Sequence, residues 1–445
     1  MTPADPLAAR RFALDVVARL RQAGHQALWA GGCVRDQLLG QAPKDYDVAT
    51  DALPERVREV FGRRRTLAIG AAFGVITVQG PYEAGPVDVA TFRRDAAYSD
   101  GRHPDSVAFS TAEEDAQRRD FTINGLFFDP LTEQVIDYVG GQADLERGLV
   151  RAIGDPRQRF AEDKLRMLRA VRFTATFGFA LDPATLAAVQ EQADDLVIVS
   201  AERIAVEMRR MLAHPSRALA VQLLERANLL GIVLPEAATL EPAGDPLLLP
   251  TDTPWGRTLR SLEQLTPPDF TAALALLLRE TCPTHRADGD EQRQPSQPLA
   301  IQVAHAVSDR WRLANDEREG VVKLLLDEPV VRGARSIAWP QLQRVLVADG
   351  VERLLAYGDA VAAALGLSRD DIDHCRARLT LPSEQFNPQP LISGDDLKRS
   401  GLRPGPAFRS LLEAVRDAQL EGRIATRDEA LALAASLAPP GRLPP

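Results

Sequence analysis

Cysteine is scarce in this sequence, and positive charge is not in excess. The three cysteines (Cys33, Cys282 and Cys375) lie far apart and lack the spacing of metal ligands. An odd number of scattered cysteines is typical of a protein in the reducing cytoplasm, where we expect this one to reside. The formal net charge of −9 argues against a protein that coats nucleic acid over its whole surface, but it is compatible with a local basic surface.

Long apolar runs are also missing. No run is long enough to span a bilayer, and the first residues lack the apolar core of a signal peptide. We therefore expect no membrane association. A chain of 445 residues is long enough for about two to four domains, each with its own core.

A glycine pair, Gly31-Gly32, stands between an apolar segment and a helical pattern. Residues 27–30 predict a short buried strand, and residues 34–39 predict a helix whose first N–H groups face the glycines. Glycine lets the backbone approach a bound group closely, and a helix start favours phosphate. The stretch therefore predicts a phosphate-binding turn.

Two aspartates, Asp45 and Asp47, follow in an extended stretch that ends at Thr50. Side chains two residues apart on a strand point to the same face of the sheet. Two carboxylates beside a phosphate-binding turn suit Mg²⁺, which prefers oxygen ligands and shares them with substrate phosphates. Taken singly, a glycine pair is usually a turn and an Asp-x-Asp a solvated strand edge. Their combination at this spacing favours a magnesium site.

The other patterns of the first 145 residues predict a mixed or antiparallel sheet flanked by helices. Apolar periodicity predicts helices over 5–24 and 54–61, and strands over 65–69, 74–79 and 86–91, which gives a sheet of about five strands. Asp88 falls in the last of these strands. It is either a third carboxylate of the site or a residue that faces solvent, and the pattern does not decide between them.

A basic stripe recurs further along the chain, where Asp163, Arg166, Arg169 and Arg172 are spaced by three residues. On a helix this spacing forms a slanted stripe beside an apolar one, which is also the pattern of an ordinary amphipathic helix with a solvated basic face. A carboxylate only accepts hydrogen bonds and a guanidinium only donates them. Cytosine and adenine both present an amino donor beside a ring-nitrogen acceptor, so Asp163 with Arg166 would admit C and A and reject U and G.

These motifs, in this order, resemble those of the class II tRNA nucleotidyltransferases, which comprise the CCA-adding enzymes and related bacterial poly(A) polymerases of the DNA-polymerase-beta-like superfamily. The matching motifs are Gly31-Gly32-x-Val34-Arg35-Asp36, Lys44-Asp45-x-Asp47, Arg118-Arg119-Asp120-Phe121-Thr122-Ile123-Asn124, Asp137 with Gly140-Gly141, and Glu162-Asp163-x-x-Arg166. The family usually has alanine where this chain has Gly125, and we expect that difference to be neutral.

The resemblance implies an α+β fold, with a nucleotidyltransferase head followed by an all-helical neck, body and tail. The implied domains are a head (1–145), a neck with nucleotide-template and RNA-binding helices (146–236), a body (237–380) and a tRNA-binding tail (381–445). Residues 93–104 resemble a flexible loop beside the family's active site. Periodicity in the second half predicts helices over 300–313, 317–326, 339–357 and 407–421, with irregular segments at 235–253 and 284–298.

The resemblance also implies nucleotidyl transfer from CTP and ATP to the 3′ end of tRNA, with release of pyrophosphate. Asp45 and Asp47 would be catalytic and would hold two Mg²⁺ ions. Gly32 and Arg35 would bind the triphosphate, and Arg119 would contact the triphosphate or the ribose.

The resemblance also implies that Asp163 and Arg166 select the base of the nucleotide, so that protein rather than nucleic acid serves as the template. Arg169 and Arg172 would hold the nucleotide's phosphates or orient the two selecting residues. No obligate protein partner is indicated.

Other functions share most of these residues. An A-adding enzyme or a poly(A) polymerase would have the same catalytic groups, and so would a CC-adding enzyme with a defective loop. A catalytically inactive RNA-binding protein would not need Asp45 and Asp47. Some relatives carry a metal-dependent His-Asp phosphohydrolase domain, but this chain contains no His-Asp dipeptide, and we predict no such activity.

Overall fold

A computed structural model of the protein describes residues 5–95, 107–240, 253–281, 297–400, 402 and 407–438. The chain divides into two compact units, Met1–Thr239 and Leu240–Pro445. The division into head, neck, body and tail stays a prediction. Within the described ranges, no helix is both long and apolar enough to cross a membrane.

Short strands make up the β-structure of the first unit. In chain order they are β1 (Ala27–Ala30), β2 (Asp47–Thr50), β3 (Thr66–Leu67), β4 (Val75–Val78), β5 (Val87–Thr91), β6 (Arg93–Asp95), β7 (Val107–Phe109), β8 (Phe127–Asp129), β9 (Gln134–Ile136), β10 (Leu149–Val150) and β11 (Ala180–Leu181). Seven of them form one mixed sheet in the order β3-β4-β5-β2-β1-β8-β9. The prediction of about five strands was too low because β8 and β9 are only three residues long, too short to show alternation.

Strand pairing sets which side chains share the face of this sheet. Strands β2 and β5 run parallel, and their register places Asp47 opposite Asp88. Strand β1 runs antiparallel to β2 on its other side, which brings the end of β1 and the following glycine pair next to the start of β2. The sheet therefore brings the glycine pair, Asp47 and Asp88 to the same edge.

Helices cover the sheet and continue beyond it in the first unit. They are α1 (Pro6–Gln22), α2 (Gly32–Leu38), α3 (Pro54–Phe61), α4 (Ala112–Gln117), α5 (Gly141–Glu146), α6 (Pro156–Glu162), α7 (Leu165–Phe177), α8 (Pro183–Gln192), α9 (Ala201–Leu212), α10 (Arg217–Arg226), α11 (Leu230–Val233) and α12 (Pro235–Ala238). Helix α1 buries Ala13, Val16 and Leu20 in the same core as Trp29 and Val48 of the sheet. The prediction of an irregular segment from residue 235 is wrong at its start, because Pro235 begins α12, and residues 241–252 lie outside the described ranges.

The basic stripe is not one continuous helix. Asp163 ends α6 in an extended conformation with φ −144° and ψ 104°, and α7 begins two residues later. The apolar stripe on α7 is buried as predicted, since Leu168 and Val171 are fully covered. The break means that Asp163 reaches the basic face from the connection between two helices rather than by helical rotation.

The second unit is helical throughout its described residues. Its helices are α13 (Pro254–Gln264), α14 (Phe270–Arg279), α15 (Gln297–Trp311), α16 (Asn315–Arg332), α17 (Trp339–Leu346), α18 (Val351–Leu365), α19 (Asp370–Leu379), α20 (Ser383–Phe386), α21 (Gly394–Arg399), α22 (Ala407–Leu420) and α23 (Arg427–Leu437). The single helix predicted over 339–357 is wrong. The chain turns at Gly350, whose φ of +84° favours glycine and separates α17 from α18. Residues 284–296 lie outside the described ranges.

Close packing around Gly125 contradicts the expectation that alanine would be equivalent there. A Cβ at this position would lie 2.6 Å from Val139 Cγ2 and 3.1 Å from Ile153 Cδ1. Gly125→Ala should therefore lower the free energy of unfolding by about 1–3 kcal/mol, the usual cost of overpacking a core. Urea denaturation of the two proteins measures the difference.

Gly231→Ala is the matched control. It lies in α11 of the same unit, where the nearest atom to a new Cβ is 3.8 Å away. Its free energy of unfolding should stay the same or rise, because alanine favours helix. If both variants unfold at the denaturant concentration of the parent protein, the core beside Gly125 has room that the structure does not show.

Candidate active site

One cavity of about 480 Å³ in the first unit gathers the predicted site residues, with the exception of Asp45. The predicted residues that line it are Gly32, Arg35, Asp47, Arg119, Asp163, Arg166, Arg169 and Arg172. The further lining residues are Gly31, Arg118, Asp120, Asn124, Leu165, Phe173 and Arg203. Seven arginines and three aspartates therefore face the same space, which gives its wall an excess of positive charge.

The glycine pair has a steric reason to be glycine. Gly31 has a φ of +73°, a conformation that disfavours other residues. A Cβ on Gly31 would also lie 2.7 Å from Nη1 of Arg119. Helix α2 begins at Gly32, as the phosphate-binding interpretation required. The bare backbone thus leaves room for Arg119 to lie against the turn.

Asp47 is the first residue of β2. Its side chain lines the cavity and is exposed to solvent. The protein around it disfavours the charged carboxylate and raises the pKa of Asp47 to about 6. The charge of Arg119 lowers this pKa, and the negative charges of Asp88 and Asp45 raise it. Three carboxylates therefore influence one another at this edge of the sheet.

Asp45 does not lie on the strand that was predicted to carry it. It occupies a bend two residues before β2 begins, so strand alternation does not place it beside Asp47. Asp88 accepts a hydrogen bond from Oγ1 of Thr77 at 2.6 Å. In the described part of the chain, no three His, Cys, Asp or Glu side chains converge closely enough to form a metal site. The donor atoms at this edge are nevertheless carboxylate oxygens, and a hard cation would offset the repulsion that raises the pKa of Asp47.

A buried aspartate on α4 holds two of the arginines. Asp115 is 1% exposed and accepts from Arg118 at 2.7 Å and from Arg119 at 2.9 Å. Burial alone would raise the pKa of Asp115, but the charges of Arg119 and Arg118 lower it below its ordinary value. Asp115 is thus an anion under the cavity wall, and the motif at 118–124 depends on it for its orientation.

The arginines of α7 are held by acids from other elements. Arg169 donates to Asp120 at 2.6 Å, and Arg172 donates to Glu207 of α9 at 2.5 Å. Burial would raise the pKa of Asp120, but the charge of Arg169 and a hydrogen bond from Asn124 bring it down to about 2. Each of these two guanidinium groups is therefore held in place by a buried acid, Arg169 by Asp120 and Arg172 by Glu207.

The side chains that were predicted to read the base already have protein partners. Asp163 accepts from the backbone N–H of Leu165 at 3.1 Å through Oδ1 and from Arg203 at 2.8 Å through Oδ2. Each carboxylate oxygen accepts two hydrogen bonds, so each of these two retains one lone pair. These contacts fix the carboxylate plane and leave it able to accept from a ligand.

Arg166 is more heavily engaged. Its Nη1 donates to Glu162 at 2.6 Å and to the carbonyl oxygen of Arg159 at 3.0 Å, and its Nη2 donates to the carbonyl oxygen of Arg118 at 3.1 Å. A guanidinium has five N–H donors, so these three contacts leave capacity on Nη2 and Nε. The contact with Arg118 ties α7 to the motif at 118–124.

Arg35 is buried, with 8% of its surface exposed. Its Nη2 donates to Asp36 at 2.6 Å, and its Nη1 donates to Oδ1 of Asn124 at 2.5 Å. Asn124 in turn donates to Asp120 at 3.1 Å. The phosphate-binding turn is thus linked through one amide to the aspartate that holds Arg169.

Sequence reasoning did not assign roles to Asp115, Asp120 or Asn124. Asp120 and Asn124 lie in a recognised motif, and their spacing of four residues was an available signal. Asp115 lies outside the recognised motifs, three and four residues before the arginines that it pairs with. The loop at 93–104 is described only over β6, and Tyr98 and His103 lie outside the described residues.

Comparisons with known proteins agree with this geometry. A family model described as "Poly A polymerase head domain" matches residues 27–151. A second, described as "Probable RNA and SrmB- binding site of polymerase A", matches residues 178–240. The CCA-adding enzyme of Geobacillus kaustophilus is 31% identical over 430 residues, with 94% of both chains covered. That of Limosilactobacillus fermentum is 32% identical and covers 95% of this chain and 96% of its own.

Solved structures are similar over nearly the whole length. The Bacillus stearothermophilus CCA-adding enzyme in complex with CTP has a TM-score of 0.70 and 27% identity and covers 98% of each chain. The Thermotoga maritima CCA-adding enzyme complexed with tRNA has a TM-score of 0.64 and 19% identity, with 98% of this chain covered and 97% of its own, which shows the fold alone.

The raised pKa of Asp47 predicts how stability changes with pH. Folding raises this pKa from 3.8 to about 6. Above pH 6 the carboxylate is therefore ionised in the folded protein, and its charge lowers the free energy of unfolding. This loss of stability disappears as pH falls from about 6 to 3.8, because the carboxyl group becomes protonated. Asp47→Asn removes the charge. In the presence of EDTA, the variant should unfold at a higher temperature than the parent at about pH 8, with a difference that shrinks towards about pH 4. A difference that is independent of pH would contradict the proposed electrostatic origin.

Proposed function

This chain belongs to the family of the CCA-adding enzymes and bacterial poly(A) polymerases, and we propose that it adds C and A to the 3′ end of tRNA from CTP and ATP. The chain is a nucleotidyltransferase. The observation that carries the proposal is the single cavity in which Asp47, the arginines and the Asp163–Arg166 pair meet. A carboxylate with a raised pKa that lines a cavity together with many arginines is typical of catalytic sites.

The proposed reaction forms one bond and breaks one bond at the α-phosphate. The 3′-hydroxyl oxygen of the RNA attacks the α-phosphorus of CTP or ATP, the hydroxyl proton is lost, and pyrophosphate leaves. Asp47 and Asp45 would hold Mg²⁺, which lowers the pKa of the attacking hydroxyl and stabilises the leaving pyrophosphate. The carboxylates would fit such an ion because the negative charges of Asp88 and Asp45 disfavour ionised Asp47, and a bound cation would offset that effect.

The arginines of the cavity provide the counter-charge for the triphosphate. Arg119 lies against the glycine turn, and Arg35 lies beneath the start of α2. Guanidinium groups match phosphate oxygens in two-point contacts, and their anchoring acids hold them in place before the nucleotide arrives. Arg169 and Arg172 line the same cavity as Asp163 and Arg166, the proposed base-selecting pair.

Base selection would use the remaining hydrogen-bonding capacity of Asp163 and Arg166. Asp163 would accept from the amino group of C or A, while Arg166 would donate to the neighbouring ring nitrogen. Uracil and guanine present the opposite pattern, so a mismatch would leave buried polar groups without partners, at a cost of roughly 1–3 kcal/mol for each group. Arg203 and Glu162 would hold the two side chains in the selecting geometry.

The other parts of the proposal concern location and RNA. We propose that residues 1–145 form the catalytic head, that 146–236 form a neck that selects the nucleotide and binds RNA, that 237–380 form the body, and that the tail at 381–445 binds tRNA. Binding through phosphates and shape would weaken as salt rises. The cytoplasmic location inferred from cysteine usage stays a prediction, and so do the loop's role and an independence from protein partners.

The direct test supplies CTP and ATP separately and together to three RNAs: a tRNA that ends before CCA, a tRNA that ends in CC, and an unrelated RNA. The proposal predicts two C residues on the first tRNA from CTP alone, one A on the second from ATP alone, and no extension of the unrelated RNA.

Asp45→Ala should abolish incorporation and leave tRNA binding nearly unchanged, because it removes a metal ligand and not an RNA contact.

The alternatives give distinct products in the same assay. Addition of A alone to the CC end identifies an A-adding enzyme, long A tails on the unrelated RNA identify a poly(A) polymerase, and C without A identifies a CC-adding enzyme. Equal loss of incorporation and tRNA binding in Asp45→Ala would contradict the metal role.

Removing the accepting carboxylate should relax base selection. Asp163→Ala is expected to increase incorporation of UTP or GTP relative to CTP and ATP by roughly tenfold or more, since the lost hydrogen bond discriminates the amino group. Competition assays with all four nucleotides measure the ratio. Asp194→Ala, an exposed carboxylate in the same unit, is the control. Unchanged selectivity in Asp163→Ala would refute the base-selection hypothesis.

A further inference from the structure

Phe173 lies at the centre of the arginine cluster. It is on α7, lines the cavity and is 5% exposed. The Cζ atoms of Arg172, Arg169 and Arg35 lie 4.1, 5.2 and 5.3 Å from the centre of its ring. All three distances are within the range of about 6 Å in which a cation is attracted to an aromatic face.

The ring itself is fixed by other aromatic side chains. Phe121 packs edge-on against Phe173, with ring centres 5.7 Å apart. Phe177, one turn further along α7, is stacked at 6.0 Å with an angle of 10° between the planes. Arg35 also lies 4.5 Å from the centre of the Phe177 ring. The three guanidinium groups therefore share a support that cannot easily rotate.

Holding three cations close together has an electrostatic difficulty, because they repel one another. Each is already paired with one carboxylate, and the pairs are Arg35–Asp36, Arg169–Asp120 and Arg172–Glu207. These three ion pairs are formally neutral together, so a further carboxylate would make the cluster negative and repel a triphosphate. An aromatic face attracts cations through its quadrupole and adds no net charge, so it holds the guanidinium groups without adding repulsion for an anion.

We propose that Phe173 is a positioning residue that orients Arg35, Arg169 and Arg172 towards the nucleotide's phosphates. The inference rests on the proposed function, because it takes a nucleoside triphosphate as the ligand. The ring does not contact the reacting atoms in this account. Its contribution is to fix the planes of the three guanidinium groups before the nucleotide binds.

Fluorination of the ring tests this role without changing its shape. Phenylalanines with one, two and three ring fluorines, incorporated at position 173 of the full chain, progressively weaken the attraction of the ring face for cations. The dissociation constant for CTP should rise stepwise to roughly tenfold with three fluorines, whereas that for CMP should change much less. Phe173→Leu should show the same difference between CTP and CMP.

Phe61 provides the matched control. It is also 5% exposed, and Arg19 lies 4.6 Å from the centre of its ring, but it is not part of the cavity. The same fluorinated residues at position 61 should leave the CTP dissociation constant unchanged. Thermal unfolding of both series separates effects on binding from effects on folding.

The outcomes are distinct. Unchanged CTP binding across the fluorinated series would overturn the proposal, and so would equal losses for CTP and CMP, which would indicate packing alone. If Phe173→Leu does not fold, the fluorinated series decides the question. Failure of the parent protein to bind CTP or ATP would instead refute the proposed function.

Discussion

Arginines converge on one cavity, and the fold holds them there by pairing them with buried carboxylates. Asp115, Asp120 and Glu207 are 1%, 8% and 2% exposed, and they come from α4, the segment after it, and α9. Because buried acids tolerate little displacement once paired, they set where the guanidinium groups can lie. Packing of three separate elements therefore determines the positive wall of the site.

Asp47 places charge of the other sign in the same cavity. The surrounding protein disfavours its charged form and raises its pKa, the charge of Arg119 lowers this pKa, and the charges of Asp88 and Asp45 raise it further. A nucleotide with its cation would satisfy both kinds of charge at once, since phosphates pair with the arginines and the cation pairs with the carboxylates. The ionised carboxylate is thus disfavoured in the free protein, a common cost of active sites.

The elements nearest the motifs were predictable because their signals are local. The glycine pair before α2 and the extended conformation of β2 follow from residue type and short spacing. The extended conformation of Asp163 was missed because a spacing of three residues is equally compatible with a helix and with a break between helices. The partners of the arginines were missed for another reason. The pairing of Arg172 with Glu207 joins residues 35 positions apart, and only tertiary packing brings them together.

The account's central claim is that one cavity holds the triphosphate between arginines and carboxylates while Asp163 and Arg166 contact the base. A crystal structure of the protein with CTP and Mg²⁺ tests it most directly. The claim predicts the phosphates against Arg119 and the α7 arginines, the metal on Asp47, and the cytosine amino group within hydrogen-bond distance of Asp163. CTP bound away from this cavity, or a base that touches neither Asp163 nor Arg166, would contradict it.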